Sequence, residues 1–271
     1  MTPEFNIPSF GFGTYQRLDD EAYRTVSDAL EVGYRHIDTA EGYNNEEFVG
    51  KAIADSGVAR EDVWITTKVS PRSYGEGMVR PAVEASLEKL RTDQVDLLLL
   101  HWPSINDEYP VESYLEQFAE VYDAGLTKHI GVSNFTKYYL DHALRILGNR
   151  PIRTNQCEIH AYFRNRPIVD YCASKGIPMT AYSPLAKGAV ADDPTMAKIG
   201  EKHNATAAQI ALAYLMAEGH IVIPTSTKKE RIASNFEARN IQLSAEEVAQ
   251  IQALDEGRRI VDGEWCPTWD V

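Results

Sequence analysis

Short apolar runs alternate along the chain with longer segments in which apolar residues recur every three or four positions. The short runs are typical of buried strands, and the longer segments are typical of amphipathic helices. Eight strands are predicted, at residues 9–13, 35–39, 63–69, 95–102, 129–134, 154–159, 178–183 and 221–224. Strands that alternate with helices form parallel sheets, because each parallel connection has to cross over the sheet.

Helical periodicity appears between these strands. Six helices are predicted after the first six strands, at residues 20–31, 46–56, 78–90, 111–123, 137–147 and 166–175. Two segments, 194–203 and 206–218, separate the last two strands, and another, 244–254, lies beyond the eighth strand and the basic segment that follows it. The pattern predicts an α/β fold: a single (β/α)8 TIM barrel over residues 1–271 with two extra helices. A doubly wound sheet usually stops nearer six strands, and the glycine loop at 11–16 lacks the third glycine of a dinucleotide fingerprint.

Composition narrows the classes of partner. The chain has 271 residues, which suits one barrel, and its formal net charge is −13. Such a charge repels phosphate backbones and anionic lipid, so neither nucleic acid nor membrane is expected as a partner, although a local basic pocket could hold a small anion. No apolar leader or spanning segment is visible, and we expect a cytoplasmic protein. Cys157, Cys172 and Cys266 lack metal-site spacing, and no H-E-x-x-H motif occurs, so no metal is expected.

Polar residues end most of the predicted strands, which is where a parallel barrel forms its active site. Strand two ends near Asp38, strand three near Lys68 and strand four near His101. An ammonium group in the apolar surroundings of Lys68 needs a carboxylate, and Asp38 is one strand away. A lone Lys and Asp could equally form a structural ion pair. A third titratable group at the end of the next strand favours a catalytic site.

Tyr43 lies five residues beyond Asp38, in the loop after the second strand. A phenol has an ordinary pKa of about 10, which is high for proton donation near neutrality unless a cation stabilises the phenolate. We expect Lys68, held by Asp38, to lower the pKa of Tyr43, and His101 to donate a hydrogen bond to a substrate oxygen. This arrangement suits the reduction of a carbonyl group by hydride.

These residues lie in motifs that occur in a familiar order. The motifs are Asp38-Thr-Ala-x-x-Tyr43-x-Asn-Glu46, Ile65-Thr-Thr-Lys68, Leu98-Leu-Leu-His101-Trp-Pro, Gly131-Val-Ser-Asn-Phe135, Asn155-Gln156, Ala181-Tyr-Ser-Pro-Leu185 and the run 223–235. Through them the sequence resembles the aldo-keto reductases over essentially its whole length. The resemblance implies a catalytic tetrad of Asp38, Tyr43, Lys68 and His101, and it identifies the extra helices as the family's usual additions to the barrel.

The resemblance also implies NADPH/NADP+ as the cofactor and assigns its contacts. Ser133, Asn134 and Gln156 would bind the carboxamide, and Tyr182 would stack on the nicotinamide ring. The other implied cofactor residues are Gly13 and Thr14 in the same cleft, Ser183 and Leu185 along the pyrophosphate, Ser226, Lys228 and Arg231 at the 2′-phosphate, and Asn235 at the adenine. Thr225 stands where many relatives have a lysine, so use of NADH is also allowed. Without the family, 228–231 is a solvated helix start, although basic residues at a helix amino end suit a phosphate.

The substrate site is expected to be open and shallow, because long loop insertions are absent. Its candidate walls are Tyr15, Trp102, Trp265 and Trp269, with residues 263–271 as a flap; alternatively, Trp265 and Trp269 only anchor a tail. The chain looks especially similar to the compact bacterial 2,5-diketo-D-gluconate reductases, which implies small carbonyl substrates, among them methylglyoxal. The family also implies a monomer.

Two rival functions follow from the same residues. A barrel lysine beside an aspartate could form a Schiff base, as in an aldolase. A protein with this fold could also bind the nicotinamide nucleotide without catalysis and signal its state to a partner. The intact set of four polar residues favours the reductase.

Overall fold

The computed structural model describes residues 7–270, and its centre is one sheet of eight parallel strands in the order of the sequence. The strands are β1 (Phe12–Gly13), β2 (His36–Asp38), β3 (Trp64–Val69), β4 (Val95–Leu100), β5 (Thr127–Ser133), β6 (Ile152–Glu158), β7 (Met179–Tyr182) and β8 (Ile221–Val222). Every strand pairs in parallel with its neighbour in the sequence. The predicted parallel topology is therefore confirmed.

The barrel is closed between its first and last strands. Phe10 forms a parallel bridge with Val222, and the Gly11 N–H donates to the Val222 carbonyl at 2.8 Å. The Gly13 N–H reaches the Pro224 carbonyl at 3.0 Å, and a Cβ on Gly13 would lie 2.9 Å from the Ile223 carbonyl oxygen. Only glycine permits that approach.

Both strands at this seam are shorter than predicted. Phe10 and Gly11 pair with Val222, and Phe12 and Gly13 pair with Ile37 and Asp38 of β2, while the Gly13 N–H also bonds the Pro224 carbonyl beyond β8. The seam is staggered in this way because the strands of a closed barrel tilt. A continuous strand over 9–13 or 221–224 is consequently not formed.

Ten α-helices are described outside the strands. They are α1 (Asp19–Val32), α2 (Glu46–Asp55), α3 (Val79–Leu90), α4 (Val111–Asp123), α5 (Lys137–Leu147), α6 (Arg166–Ser174), α7 (Pro194–His203), α8 (Ala207–Ala217), α9 (Lys229–Glu237) and α10 (Ala245–Gln252). The pairs α7/α8 and α9/α10 each provide one helix more than the repeat needs, which confirms the two extra helices. Helix α8 begins with a reciprocal capping box between Thr206 and Gln209, and α10 begins with one between Ser244 and Glu247.

Strand β4 shows how the core is divided. Its side chains alternate between the two faces of the sheet. Leu98 and Leu100 belong to the large core between the strands and the helices, whereas Leu97 and Leu99 pack with Ile7 and Ile221 inside the barrel. Apolar side chains thus fill this part of the barrel interior, and the polar strand ends line its mouth.

The segment after α10 is fastened across this mouth at two points. The buried carboxylate of Glu158, at the end of β6, accepts hydrogen bonds from the Ile260 and Val261 N–H groups at 2.7 Å each and pairs with His160 at 2.9 Å. Burial raises the pKa of Glu158, but the His160 pair and the two N–H groups outweigh it and leave the pKa below the ordinary 4.5. The second tie joins an Asp270 oxygen to the Lys137 N–H, at the start of α5. We call residues 259–270 the tail.

The variant Glu158→Gln tests the first tie. An amide has only one oxygen to accept from the two N–H groups, and its N–H₂ group would face the second N–H, donor against donor. We therefore expect the free energy of unfolding to fall by about 1–3 kcal/mol. Trypsin should then cut after Arg258 and Arg259 faster than in the native chain. Urea unfolding and timed proteolysis at neutral pH measure both effects.

The matched control is Glu256→Gln, because Glu256 is exposed and its carboxylate pairs with the neighbouring Arg258, at 3.2 Å. It should change neither measurement. Because the pKa of Glu158 is lowered by folding, its contribution is present at neutral pH and is lost as the pH falls through the folded-state value. Equal unfolding and cleavage of Glu158→Gln and the native chain would contradict the role of this tie.

Candidate active site

An ion pair between Lys68 and Asp38 lies at the carboxyl ends of β3 and β2. The Lys68 Nζ is 2.5 Å from the Asp38 Oδ1 and donates to the Thr39 carbonyl at 2.7 Å. Asp38 is paired in register with Thr66, two residues before Lys68 on β3, so all three side chains point into the barrel. Lys68 and Asp38 are 1% and 2% exposed. Burial lowers the pKa of Lys68, and the charge of Asp38 opposes that shift.

Tyr43 and His101 lie above this pair. Tyr43 ends a 3-10 turn, Glu41–Tyr43, and its ring meets the His101 ring edge-on with centroids 5.4 Å apart. The Lys68 Nζ is 5.0 Å from the centroid of the Tyr43 ring. His101 follows β4 directly, and its N–H donates to the Val69 carbonyl. The structure therefore brings the four residues of the expected tetrad together.

The protonation states of Tyr43 and His101 follow from burial. Burial raises the pKa of Tyr43 well above its ordinary 10.0, and the charge of Asp38 adds to this. The expected net lowering of the pKa of this phenol is not seen, because burial dominates and the charge of Asp38 acts in the same direction. Burial, with the charge of Lys68, lowers the pKa of His101 well below 6.5. At neutral pH both side chains are therefore neutral, and each can donate a hydrogen bond.

The turn that carries Tyr43 is held by two polar residues that the sequence analysis did not single out. The buried Asn45 accepts from the Thr39 hydroxyl at 2.7 Å and donates to the Thr14 and Arg17 carbonyls. Glu41 accepts from the Ser70 N–H and the Ser73 hydroxyl, at 2.7 Å each. The sequence does place a Glu and an Asn on either side of the tyrosine. Their roles could not be predicted from this, because their hydrogen-bond partners lie in other loops.

The predicted carboxamide residues form a group opposite the tetrad. The Ser133 hydroxyl donates to the Gln156 carbonyl at 2.8 Å, and the Asn134 amide donates to the His101 carbonyl at 3.1 Å. The half-buried Tyr182 donates its hydroxyl to the Asn134 Oδ1 at 2.9 Å. Amide and hydroxyl groups beside a partly exposed aromatic ring suit a carboxamide-bearing ring, so the donor set fits a nicotinamide.

The remaining cofactor candidates follow the ends of β7 and β8. Ser183 adopts a left-handed conformation (φ 49°) in the turn that leads to the half-buried Leu185. Thr225 is exposed, as are Lys228 and Arg231 at the start of α9. The Ser226 hydroxyl accepts from the Lys228 N–H at 3.1 Å, and Asn235 is buried one turn beyond Arg231.

Arg24 is a further cation at the start of α9 that the sequence analysis missed. Its guanidinium donates to the Thr227 carbonyl at 3.1 Å. Arg24 also pairs with Asp28 at 3.5 Å, and Lys229 pairs with Glu31 at 2.7 Å and with Asp28 at 3.5 Å. This end of α9 therefore presents basic side chains from two helices, which suits a phosphate group.

Three of the four predicted substrate residues surround the mouth of the barrel. Tyr15 is 57% exposed, and its ring lies 5.1 Å from that of Tyr43. Trp102 lies between His101 and Trp269, with ring centroids 6.5 Å and 6.1 Å away. Trp265 is different, since it is 52% exposed and packs over Gly263, where any Cβ would overlap the indole ring.

Arg259 was also missed by the sequence analysis. Its guanidinium lies 3.8 Å from the centroid of the Trp269 ring and 4.4 Å from that of Phe163. A cation stacked between two rings holds the tail against the end of β6. Arginines are common in tails, so no local pattern indicates this contact.

Three features are absent from residues 7–270. No cluster of three or more His, Cys, Asp or Glu side chains in that range is arranged to hold a metal ion. Cys157, Cys172 and Cys266 form no disulfide. In the same range, no helix combines the length and apolar character required to cross a bilayer.

Comparison with known proteins agrees with this geometry. The model of the aldo/keto reductase family matches residues 9–256. Methylglyoxal reductase DkgB of Escherichia coli O157:H7 is 47% identical over 97% of this chain and 99% of its own length. Glyoxal reductase of Bacillus subtilis (strain 168) is 38% identical over 94% of this chain and 91% of its own.

Two solved structures extend the comparison. A putative 2,5-diketo-D-gluconic acid reductase B superposes with a TM-score of 0.93 at 39% identity, covering 98% of this chain and 95% of its own. Aldose reductase from Schistosoma japonicum superposes with a TM-score of 0.90 at 33% identity, covering 98% and 97%. The chain therefore belongs to the aldo/keto reductase family, and it is an oxidoreductase that acts on carbonyl compounds with a nicotinamide cofactor.

Proposed function

We propose that this protein reduces small aldehydes and ketones to alcohols with NADPH, and that Tyr43 is the proton donor. The observation that carries the proposal is the meeting of Tyr43 and His101 above the buried Lys68–Asp38 pair. Two neutral donors at the mouth of the barrel are suited to one carbonyl oxygen. The intact site favours catalysis over a purely nucleotide-sensing role, and the ion pair with Asp38 opposes the neutral amine that a Schiff-base mechanism needs.

The proposed mechanism uses the charge that develops on the carbonyl oxygen. NADPH, when bound, supplies the hydride. Tyr43 and His101 donate hydrogen bonds to the oxygen as it becomes negative, and Tyr43 then transfers its proton. An alkoxide is a much stronger base than a phenolate, so a phenol with a raised pKa still protonates it. Lys68 then stabilises the phenolate that remains.

The cofactor is proposed to extend from the tetrad to the start of α9. Ser133, Asn134 and Gln156 hold the carboxamide, and Tyr182 carries the ring. The other proposed contacts are Gly13 and Thr14 in the cleft, Ser183 and Leu185 at the pyrophosphate, Arg24, Ser226, Lys228 and Arg231 at the 2′-phosphate, and Asn235 at the adenine. Thr225 adds no charge there, so we infer a preference for NADPH with residual use of NADH.

The substrate is proposed to be a small dicarbonyl compound of the methylglyoxal or 2,5-diketo-D-gluconate type. The support is the set of names carried by the relatives and the aromatic rim formed by Tyr15, Trp102 and Trp269. Trp265 is retained as a candidate contact of the flap. We propose a monomer that acts in the cytoplasm, as the family implies. The net charge of −13 disfavours nucleic acid and membrane partners.

Tyr43→Phe tests the proton donor. Because general acid catalysis typically contributes about 10²–10⁴ in rate, kcat should fall by at least roughly a hundredfold. Loss of NADPH absorbance with methylglyoxal and 2,5-diketo-D-gluconate gives kcat, and quenching of protein fluorescence gives the Kd of NADPH, which should stay within about twofold. The control is Tyr138→Phe, on the exposed face of α5. A fully active Tyr43→Phe would refute the assignment, and a native chain that binds NADPH without turnover would favour nucleotide sensing.

The pH dependence of kcat/KM tests the protonation states. If the imidazole of His101 had an ordinary pKa, kcat/KM would change with pH around 6.5. Because burial and Lys68 lower the pKa of His101 and burial raises that of Tyr43, we expect kcat/KM for reduction to stay level from about pH 6 to 8. A set of overlapping buffers at constant ionic strength measures the profile. A bell-shaped profile in which kcat/KM falls below about pH 6.5 would contradict the lowered pKa of His101.

Arg231→Gln tests the phosphate end. Removing a charge-assisted hydrogen bond should raise the KM for NADPH roughly tenfold to a hundredfold and leave that for NADH unchanged. The control is Lys229→Gln on the same helix, whose ammonium already pairs with Glu31 and Asp28. Thr225→Lys should act in the opposite direction and strengthen the preference for NADPH. Equal effects of Arg231→Gln on both cofactors would place the 2′-phosphate elsewhere.

A further inference from the structure

Gln156 joins two opposite walls of the barrel. It lies on β6, and Asp38 lies on β2, four strands away in a ring of eight. The Gln156 Nε2 nevertheless donates to the Asp38 Oδ2 at 2.8 Å, and the two residues are 3% and 2% exposed. The bond therefore crosses the mouth of the barrel in a region shielded from water. It connects the proposed nicotinamide side with the proton-donating side.

This bond completes the hydrogen bonding of the Asp38 carboxylate. Lys68 occupies Oδ1, and Gln156 occupies Oδ2. The main-chain oxygen of Asp38 accepts from the N–H and hydroxyl of Thr14, at 2.9 Å and 3.1 Å. Without the Gln156 donor, a buried carboxylate oxygen would be left without a hydrogen-bond partner, which costs free energy.

The orientation of the Gln156 amide follows from the same contact. A carboxylate only accepts, so the N–H₂ group must face Asp38, and the Oε1 is directed elsewhere. The main chain of Gln156 is fixed, because its carbonyl accepts from the Ser133 hydroxyl at 2.8 Å and the Asn134 N–H at 3.0 Å. One amide can thus serve Asp38 with its nitrogen while its oxygen serves a cofactor.

We propose that Gln156 is a positioning residue for proton transfer: its bond to Asp38 holds the carboxylate aligned on Lys68. This inference rests on the proposed function, since it assumes that Lys68 supports proton donation by Tyr43. It goes beyond the carboxamide contact, because Gln156 acts on the charged pair with or without a cofactor.

The charges that face Asp38 come from several elements. Lys68 on β3 is its cation. His36, on β2 itself, has a pKa lowered by burial, and Tyr43 has a raised one, so both are neutral near pH 7. Glu46, at the start of α2, acts on Lys68, and His101, directly after β4, is neutral as well. Near neutral pH, Lys68 therefore supplies the charge that balances Asp38.

Gln156→Glu gives the decisive test. Two carboxyl groups at this distance cannot both ionise, so the pair should share one proton with a raised pKa. While that proton is present, the introduced carboxyl group donates to Asp38 as the amide does. We expect kcat at saturating NADPH to approach the native value near pH 5.5 and to fall at least about tenfold by pH 8. Gln156→Met has no donor at any pH. Its kcat should therefore be at least about tenfold below the native value over the whole pH range, and it should not rise at acidic pH.

Ser133→Ala is the matched comparison. Ser133 belongs to the same proposed carboxamide group, and its hydroxyl bonds the Gln156 carbonyl rather than Asp38. The Kd for NADPH should rise in this variant, while the shape of the pH profile of kcat stays native. If Gln156 served only the carboxamide, both Gln156 variants would behave in this way, and that result would overturn the proposal.

A measurement without cofactor separates this inference from the proposed function. When folding raises the pKa of an acid, that acid contributes fully to the stability of the fold below the unfolded-state pKa, which is about 4.3 for Glu. The contribution is lost as the pH rises from the unfolded-state pKa to the folded-state pKa. Without ligand, the melting temperature of Gln156→Glu should therefore fall, relative to that of the native chain, as the pH rises from about 5 to 8. A constant difference would overturn the inference even if turnover is normal. Failure of the proposed function would instead appear in the native chain and in Tyr43→Phe.

Discussion

The arrangement of this site depends on one buried charge. An ammonium group inside a barrel is stable only when a carboxylate and further acceptors surround it, because the loss of hydration costs several kcal/mol per ion. Lys68 meets this requirement by donating to Asp38 and to the Thr39 carbonyl. Asp38 in turn accepts hydrogen bonds from Thr14 and Gln156. The ends of β1, β2, β3 and β6 are thereby tied to one another. The positions of Tyr43 and His101 above the pair follow from that framework.

The alternation of side chains along β3 places this charge and a second buried acid on opposite faces of the sheet. Thr66 and Lys68 face the barrel interior, whereas Thr67 faces the helices and donates to Glu46 at 2.5 Å. Burial raises the pKa of Glu46, which also accepts from the Ser86 hydroxyl on α3. Consecutive residues of one strand therefore serve the site and the packing of α2 against α3. A shift of β3 by one residue would exchange these two environments.

The sequence was informative where periodicity or local motifs decide the structure. The eight strands, the extra helices and the grouping of Asp38, Lys68 and His101 follow from the position of polar residues at strand ends. The short β1 and β8 could not be foreseen, because the stagger of the seam depends on closure of the whole ring. The direction of the pKa shift of Tyr43 was missed because it depends on how deeply the phenol is buried. The bond from Gln156 to Asp38 spans 118 positions of sequence, and no local pattern encodes it.

The two ties of the tail have a consequence for how members of this fold diversify. Residues 262–269 form a loop whose ends are fixed by Glu158 and by the first turn of α5. The entropy of closing a loop grows only with the logarithm of its length, by about 0.6 kcal/mol per doubling. Insertions and deletions between the ties are consequently inexpensive, whereas changes in the strands are not. The rim of the mouth can therefore vary in length and shape over evolution while the barrel and its buried charge stay the same.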